Sequence, residues 1–234
     1  MLPTSTKLYR LFLGVRAPWF LAFAALLLLT GWLNGHPIWT QEYRWQQICL
    51  AMLKSGDYLH PYLDGRPYYD KPLLSYWLMI GFAKVSGDLG VEALRAPSIL
   101  AALSALYSIF IIGRRWFDRE TGLLAAWLLL TTFYFIFWGR VASTDMLNLA
   151  TILGACAWLL ATESTLGSFK SQGVLFLLFV LGALLKGLIA PVLTGLVMLP
   201  WLIQQRRYQA FIKWRTLALS LLAGGLYLAP FIAS

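Results

Sequence analysis

The sequence predicts an all-α, polytopic membrane protein, and three observations carry that prediction. Hydrophobic residues make up 59% of the 234-residue chain and charged residues only 12%, where an ordinary soluble domain carries roughly 25% charged residues. The apolar residues gather into long runs, giving a mean hydropathy of +0.68. Basic residues fall in the short gaps between those runs and produce the net charge of +9. Scattered in this way they mark orientation across a membrane and do not form the continuous basic stripe of a nucleic-acid binder.

A spanning helix needs roughly 20 mostly apolar residues. About seven spans are expected on that basis, near 17–34, 96–113, 121–138, 146–162, 173–187, 188–203 and 215–233. Lys7, Arg10 and Arg16 precede the first, as in a signal peptide. The run from Ala17 to Leu33 is long and lacks a small-residue cleavage pattern, so it reads as an uncleaved span. The fifth and sixth runs are short and joined through Lys186-Gly187, which suits a tight hairpin or a partly re-entrant pair.

Orientation follows from the basic loops. Lys7, Arg10 and Arg16, then Arg114, Arg115 and Arg119, then Lys170, then Arg206, Arg207, Lys213 and Arg215 belong on the cytoplasmic side. Between the first two clusters the chain crosses an even number of times, and the runs at 17–34 and 96–113 supply both crossings. The shorter apolar run from Pro72 to Val85, which ends near Lys84, therefore lies in the interface as an amphipathic helix. The loop 35–95 is then extracytoplasmic, within one transmembrane domain covering 1–234.

Inside that loop, Thr40 can cap a helix running from Gln41 to about Ser55, with Gly56 to stop it. The segment 57–72 holds Pro61, Pro67, Pro72 and Gly65 and should be an ordered loop turning at Leu63-Asp64-Gly65-Arg66. By alternation Arg140, Asp145 and Lys186 share the outer side with it. Ser234 should lie there too, after a seventh crossing, and the lack of a polar tail makes the sequence look like part of a longer protein.

The candidate chemistry lies on that side. Glu42 can stabilise a helix N-terminus or bind and deprotonate an acceptor amine or hydroxyl. Asp145, in Ser143-Thr144-Asp145, can cap the next helix or serve as an acid at the membrane boundary. Asp70-Lys71-Pro72 sets an ammonium where a lipid phosphate would lie, or where a lysine snorkels to bulk headgroups. Arg44 and Arg140 have the same two readings. Lys186, between two apolar runs, needs a phosphate or an acid for company. Trp39, Tyr43, Trp45, Tyr58, Tyr62, Tyr68, Tyr69, Tyr76 and Trp77 read as an interfacial aromatic belt. Cys49 and Cys156 suit packing, and His36 and His60 are too isolated to make a zinc site.

The order Glu42-x-Arg44, Met52-Leu53-x-Ser55-Gly56-Asp57-Tyr58, Pro61, Gly65, Tyr68-Tyr69-Asp70-Lys71-Pro72 and Tyr76-Trp77 resembles the first outer loop of GT-C glycosyltransferases. Gly113-Arg114-Arg115-x-Phe117-x-Arg119, Asp145 and Lys186-Gly187 continue the likeness. The nearest branch holds the lipid A aminoarabinose transferases and the protein O-mannosyltransferases. The resemblance implies a GT-C helix bundle in the inner (plasma) membrane. It also implies inverting transfer of a sugar from a polyprenyl-phosphate donor to a lipid, protein or glycan acceptor on the outer face. By resemblance Lys71, Arg44 and Lys186 would hold the donor phosphate, and Glu42 and Asp145 would be catalytic. Gln41, Tyr68 and Tyr69 would bind substrate, and Asp70 would shape a divalent-metal site.

One departure stands out. The family opens this loop helix with Asp-Glu, the Asp being its acceptor-side base, and here that position is Gln41. Either Asp145 or Glu42 takes the base role, or the acceptor needs little activation, or activity is lost. The alternative function is therefore a non-catalytic relative that binds polyprenyl phosphate or a partner subunit. A transporter fits less well, because the charges gather at the outer interface and not at mid-bilayer.

Overall fold

The structure, a computed structural model, describes residues 8–9, 11–35 and 37–233. The expectations for Lys7, Arg10, His36 and Ser234 lie outside the described residues.

Each expected apolar run forms a helix, but not every run forms one uninterrupted span. α1 (Ala17–Thr30) has 14 residues, about 21 Å at 1.5 Å per residue. Among the described residues, four helices are long and apolar enough to cross a bilayer by themselves. They are α4 (Val91–Trp116), α7 (Thr144–Ala161), α8 (Phe169–Lys186) and α10 (Trp214–Ala233). α9 (Ile189–Gln204) is apolar but shorter.

The expected third span is broken. α5 (Arg119–Leu130) and α6 (Phe133–Gly139) meet at a bend of 71°. The cause is local: Thr131 Oγ1 donates to the carbonyl of Trp127 (3.0 Å) and Thr132 Oγ1 to that of Leu128 (2.9 Å). Hydroxyls that take up the last helical carbonyls compete with continuation of the backbone ladder. Together the bent pair counts as at most a fifth span.

α4 is the spine of the bundle, packed along α5 and α7 and against α3 (Leu74–Ser86). Its approach to α5 is close enough that a Cβ on Gly113 would stand 2.7 Å from the Gly122 Cα. The membrane core gathers Ala25, Leu29, Ala102, Ala105, Leu123, Ala126 and Leu130.

Over this bundle sits a small lobe with its own core. α2 (Thr40–Ser55) ends at Gly56, whose φ of +71° is the left-handed stop expected there. The cap differs from expectation. Trp39 holds the N-cap position, and the Glu42 carboxylate accepts its backbone N–H at 2.9 Å. The turn forms as read, with Asp64 and Gly65 both at positive φ joining β1 (Tyr62–Leu63) to β2 (Arg66–Pro67), the mirror-image two-residue hairpin turn. α2 and α3 then close on Trp45, Ile48, Cys49, Met52, Tyr76 and Met79. Trp45 and Tyr76, read as belt residues, are buried there with ring centroids 4.9 Å apart. Cys49 packs in the same core, and burial pushes its thiol up to about 12.

Candidate functional site

A polar cavity of about 250 Å³ lies between the lobe and the bundle. α2 supplies Gln41 and Arg44, the chain leading into α3 supplies Tyr68, Asp70 and Lys71, and α7 and α8 supply Asp145 and Lys186. Sequence-distant charges are thus brought to one place by four elements.

Each cation has a defined partner. Lys71 Nζ lies 2.7 Å from Asp70 Oδ2. Arg44 Nη1 donates to the Tyr68 hydroxyl at 3.2 Å, and that hydroxyl donates to Asp70 Oδ2 at 3.4 Å. The Lys71 hydrogen bond, with the Lys71, Tyr68 and Arg44 contributions behind it, holds the Asp70 carboxyl below the usual carboxylate range. On the other wall Lys186 pairs with Asp145. Ser143 takes the capping role open to this segment, its Oγ accepting the Asp145 N–H at 3.2 Å. That leaves the Asp145 side chain for Lys186 and the cavity. Three cations and two carboxylates leave the cavity one positive charge in excess, before any ligand enters.

Two predicted site residues are not in it. Tyr69 is exposed and is not among the lining residues. In non-helical chain, neighbours point to opposite sides, so placing Tyr68 inward turns Tyr69 away. Glu42 is 1% exposed and is not among the residues lining the cavity. Its Oε1 accepts from Arg95 Nε and the Ala142 N–H, both at 2.8 Å. Its Oε2 accepts from Arg95 Nη2 at 2.8 Å and from the Trp39 N–H. Burial pushes this carboxyl up, but Arg95 and the two amides outweigh burial and hold it below the usual range. A carboxylate already receiving four donors has no lone pair left for a substrate proton. The structure thus engages Glu42 with Arg95 and the backbone, outside the cavity.

The residues also do not fit a divalent metal at Asp70. Its nearest charged neighbours are the cations Lys71 and Arg44, and no group of three His, Cys, Asp or Glu side chains suited to a metal occurs among the described residues. Hard cations take several oxygen ligands, and this donor set is one carboxylate already paired with an ammonium. Arg140 is likewise engaged elsewhere, donating to the carbonyls of Leu28 (3.0 Å) and Gly31 (2.6 Å) at the end of α1. His60 bonds to Asp57 at 2.7 Å.

Sequence reasoning missed Arg95 (5% exposed). A signal was present: an arginine at the outer edge of an apolar run opposes the positive-inside pattern and needs a buried partner.

An apolar groove of about 320 Å³ opens along the bundle between α3, α4, α7 and α8. α7 and α8, which carry Asp145 and Lys186 in the cavity, also line it. Leu74 follows Lys71 by three residues, Leu147 follows Asp145, and Leu185 precedes Lys186. From Leu185 to Leu178 the groove runs about 10 Å along α8.

Residues 70–233 match the profile of a family described as dolichyl-phosphate-mannose-protein mannosyltransferase. Curated relatives include the undecaprenyl phosphate-alpha-4-amino-4-deoxy-L-arabinose arabinosyl transferase of Pseudomonas paraeruginosa (strain DSM 24068 / PA7). It is 31% identical over 199 residues, which cover 80% of this chain and 35% of the relative. The same-named protein of Edwardsiella ictaluri (strain 93-146) is 28% identical over 208 residues, covering 86% and 38%. Among solved structures, ArnT from Cupriavidus metallidurans bound to undecaprenyl phosphate superposes with a TM-score of 0.79 at 19% identity, covering 92% of this chain and 41% of that one. Its apo state gives 0.71 at 20% identity. The chain thus spans little more than a third of the length of the curated relatives it matches, and its fold is that of the corresponding part of these polytopic GT-C proteins.

Proposed function

Because the chain belongs to the dolichyl-phosphate-mannose-protein mannosyltransferase family, we propose that it forms the donor-side part of a glycosyltransferase using a sugar linked to polyprenyl phosphate. The observation that carries the reading is a three-cation cavity and an apolar groove placed near each other on the same two helices, with Asp145 and Lys186 lining the first and their near neighbours Leu147 and Leu185 the second. A lipid phosphate has this shape: a charged head followed by a long hydrocarbon chain. The relatives are named as undecaprenyl phosphate aminoarabinose transferases, which supports undecaprenyl phosphate as the carrier, aminoarabinose as the sugar and a lipid as acceptor. The inner membrane, with the lobe on the outer face, is the location the basic loops favour.

In the reaction, an acceptor lone pair forms a bond to the anomeric carbon while the bond from that carbon to the phosphate oxygen breaks. The phosphate keeps the electron pair and gains a negative charge. Arg44, Lys71 and Lys186 stabilise that charge as it develops. A neutral hydroxyl or amine acceptor must also lose a proton, and Asp145 is the carboxylate assigned to take it. Attack opposite the leaving phosphate inverts the anomeric centre. Tyr68 and Gln41 are assigned to substrate contact, and Tyr69 and Asp70 are not assigned to substrate or metal.

The test is transfer in proteoliposomes from undecaprenyl-phosphate-linked aminoarabinose to a lipid A acceptor. Product formation that Asp145→Asn abolishes supports the enzyme. Tight binding of undecaprenyl phosphate with no transfer would favour a non-catalytic lipid-phosphate-binding relative.

A further inference from the structure

Glu42 and Arg95 stand 53 residues apart in the chain and meet in a pair that no ligand is needed to explain. Both are almost wholly buried. Burying such a pair costs several kcal/mol in desolvation, recovered only when every remaining donor and acceptor is satisfied. Here they are satisfied by backbone drawn from separate parts of the fold. Arg95 Nη1 donates to the Leu33 carbonyl at 2.7 Å and Nη2 to that of Pro37 at 3.3 Å, both on the chain leading into α2. The carboxylate takes the N–H of Trp39 at the start of α2 and that of Ala142 just before α7. The next residue is held as well, with the Ser143 N–H directed to Ser98 Oγ at 3.4 Å.

The ends gathered this way are the two walls of the charged cavity. Gln41 and Arg44 follow Trp39 on α2, and Ser143, Thr144 and Asp145 follow Ala142 on α7. Asp70 and Lys71 do not belong to any segment the pair holds. The pair touches no lining residue's reacting atom, yet one carboxylate bridges the backbones that carry both walls.

We infer that Arg95, acting through Glu42, is a positioning residue that sets the gap between the Gln41–Arg44 wall and the Asp145 wall. Sequence-level charge pairing is not enough for this role. Position 42 must accept backbone N–H groups and position 95 must donate to carbonyls, so exchanging the two side chains leaves both sets of backbone groups unanswered. Lysine at 95 keeps the charge but loses the two-pronged geometry.

The test uses Arg95→Lys and the exchanged double variant Glu42→Arg/Arg95→Glu in the intact protein. Hydrogen exchange in Arg95→Lys should rise in the segments 37–45 and 140–147 and stay unchanged in α3. The turnover arm rests on the proposed function. There kcat should fall about tenfold to a hundredfold, as for displacement of a reacting group by about 1 Å. KM for the lipid-linked donor should rise by much less than kcat falls, because of the three phosphate cations only Arg44 rides on a wall the pair holds, while Lys71 and Lys186 stand on other segments. The exchanged variant should not rescue either readout. Exchange that rises uniformly, or in neither wall, would overturn the inference, as would rescue by the exchanged pair or a rise in KM at constant kcat. If the unmodified protein transfers no sugar, the proposed function fails, and the exchange pattern alone decides the positioning role.

Discussion

Asp145, the second residue of α7, pairs with Lys186, the last residue of α8, inside the charged cavity. An anion entering the cavity competes with Asp145 for that ammonium. Replacing Asp145 by Asn removes the competitor and also the carboxylate assigned to the acceptor proton. Asp145→Asn should therefore bind undecaprenyl phosphate as tightly as the unmodified protein or a few-fold tighter. Its transfer to a hydroxyl acceptor should fall about 100-fold or more, the usual scale of a lost general base. Calorimetry with the lipid phosphate and a radiolabelled-sugar assay separate the two effects. Undiminished transfer would remove Asp145 from the chemistry.

Lys71 offers the complementary case, since its ammonium is shared with the Asp70 carboxylate at 2.7 Å. A charge-assisted hydrogen bond to phosphate contributes about 1.5–3 kcal/mol. Lys71→Ala should thus weaken lipid-phosphate binding by roughly 10- to 100-fold, using about 1.4 kcal/mol per factor of ten. The loss should shrink in high salt, because the cavity is open enough for partial screening. Affinity unchanged by Lys71→Ala at low salt would mean that Arg44 and Lys186 hold the phosphate alone.

The meeting of Arg44, Lys71, Asp145 and Lys186 in one cavity was legible in the sequence as an expectation, because the expected alternation of spans sends all four to one side. Their burial was not. Glu42 stands at a helix start, where an acid can cap or catalyse, and only the approach of Arg95 decides between the two. The break between α5 and α6 was hidden for a different reason. Thr131 and Thr132 sit within an apolar run that hydropathy averages over, and the hydrogen bonds of their hydroxyls to the preceding turn are not a property of hydropathy. Tyr68 and Tyr69 share a composition and a neighbourhood, so only backbone direction tells them apart.

Glu42 gives the fold a defined acid sensitivity. Its carboxyl is held below the usual range in the folded protein, where burial is outweighed by Arg95 and the two amides. A depressed folded pKa contributes stability that is fully present above the unfolded value of about 4.3 and is lost as pH falls through the folded value. The melting temperature in detergent should hold between pH 5 and pH 8 as far as this group is concerned, then decline below about pH 4. Glu42→Gln should melt lower at pH 7 and lack that part of the acid decline. Equal acid dependence in both proteins would show that other carboxylates govern it.

Two glycines should respond in opposite directions to the same methyl group. On Gly113 a Cβ would meet the Gly122 backbone at 2.7 and 3.0 Å, where neither helix has a flexible side chain to yield. Gly113→Ala should destabilise by about 1–3 kcal/mol, the usual cost of overpacking. Gly81, in α3, has nothing within 4 Å of the same atom. Gly81→Ala should stabilise by about 0.5–1 kcal/mol through helix propensity alone. Thermal unfolding of the two variants side by side checks the α4–α5 crossing directly.

Gln41 bears on the nature of the acceptor. It lines the cavity three residues before Arg44, on the same helix face, and cannot take up a proton. Both cavity carboxylates are already paired with lysines. An acceptor that enters as an anion, such as a phosphate monoester, has no proton to lose and is not slowed by that arrangement. A neutral hydroxyl is slowed. Gln41→Asp supplies a third carboxylate without a lysine of its own, so it should raise transfer to a hydroxyl acceptor by about tenfold or more. Transfer to a phosphate acceptor should stay level or fall slightly, because the added negative charge repels the incoming anion. The ratio of the two rates, measured with the same donor, is the quantity to follow. If it does not move, position 41 lies away from the attacking atom, and the glutamine carries no information about which acceptor the protein uses.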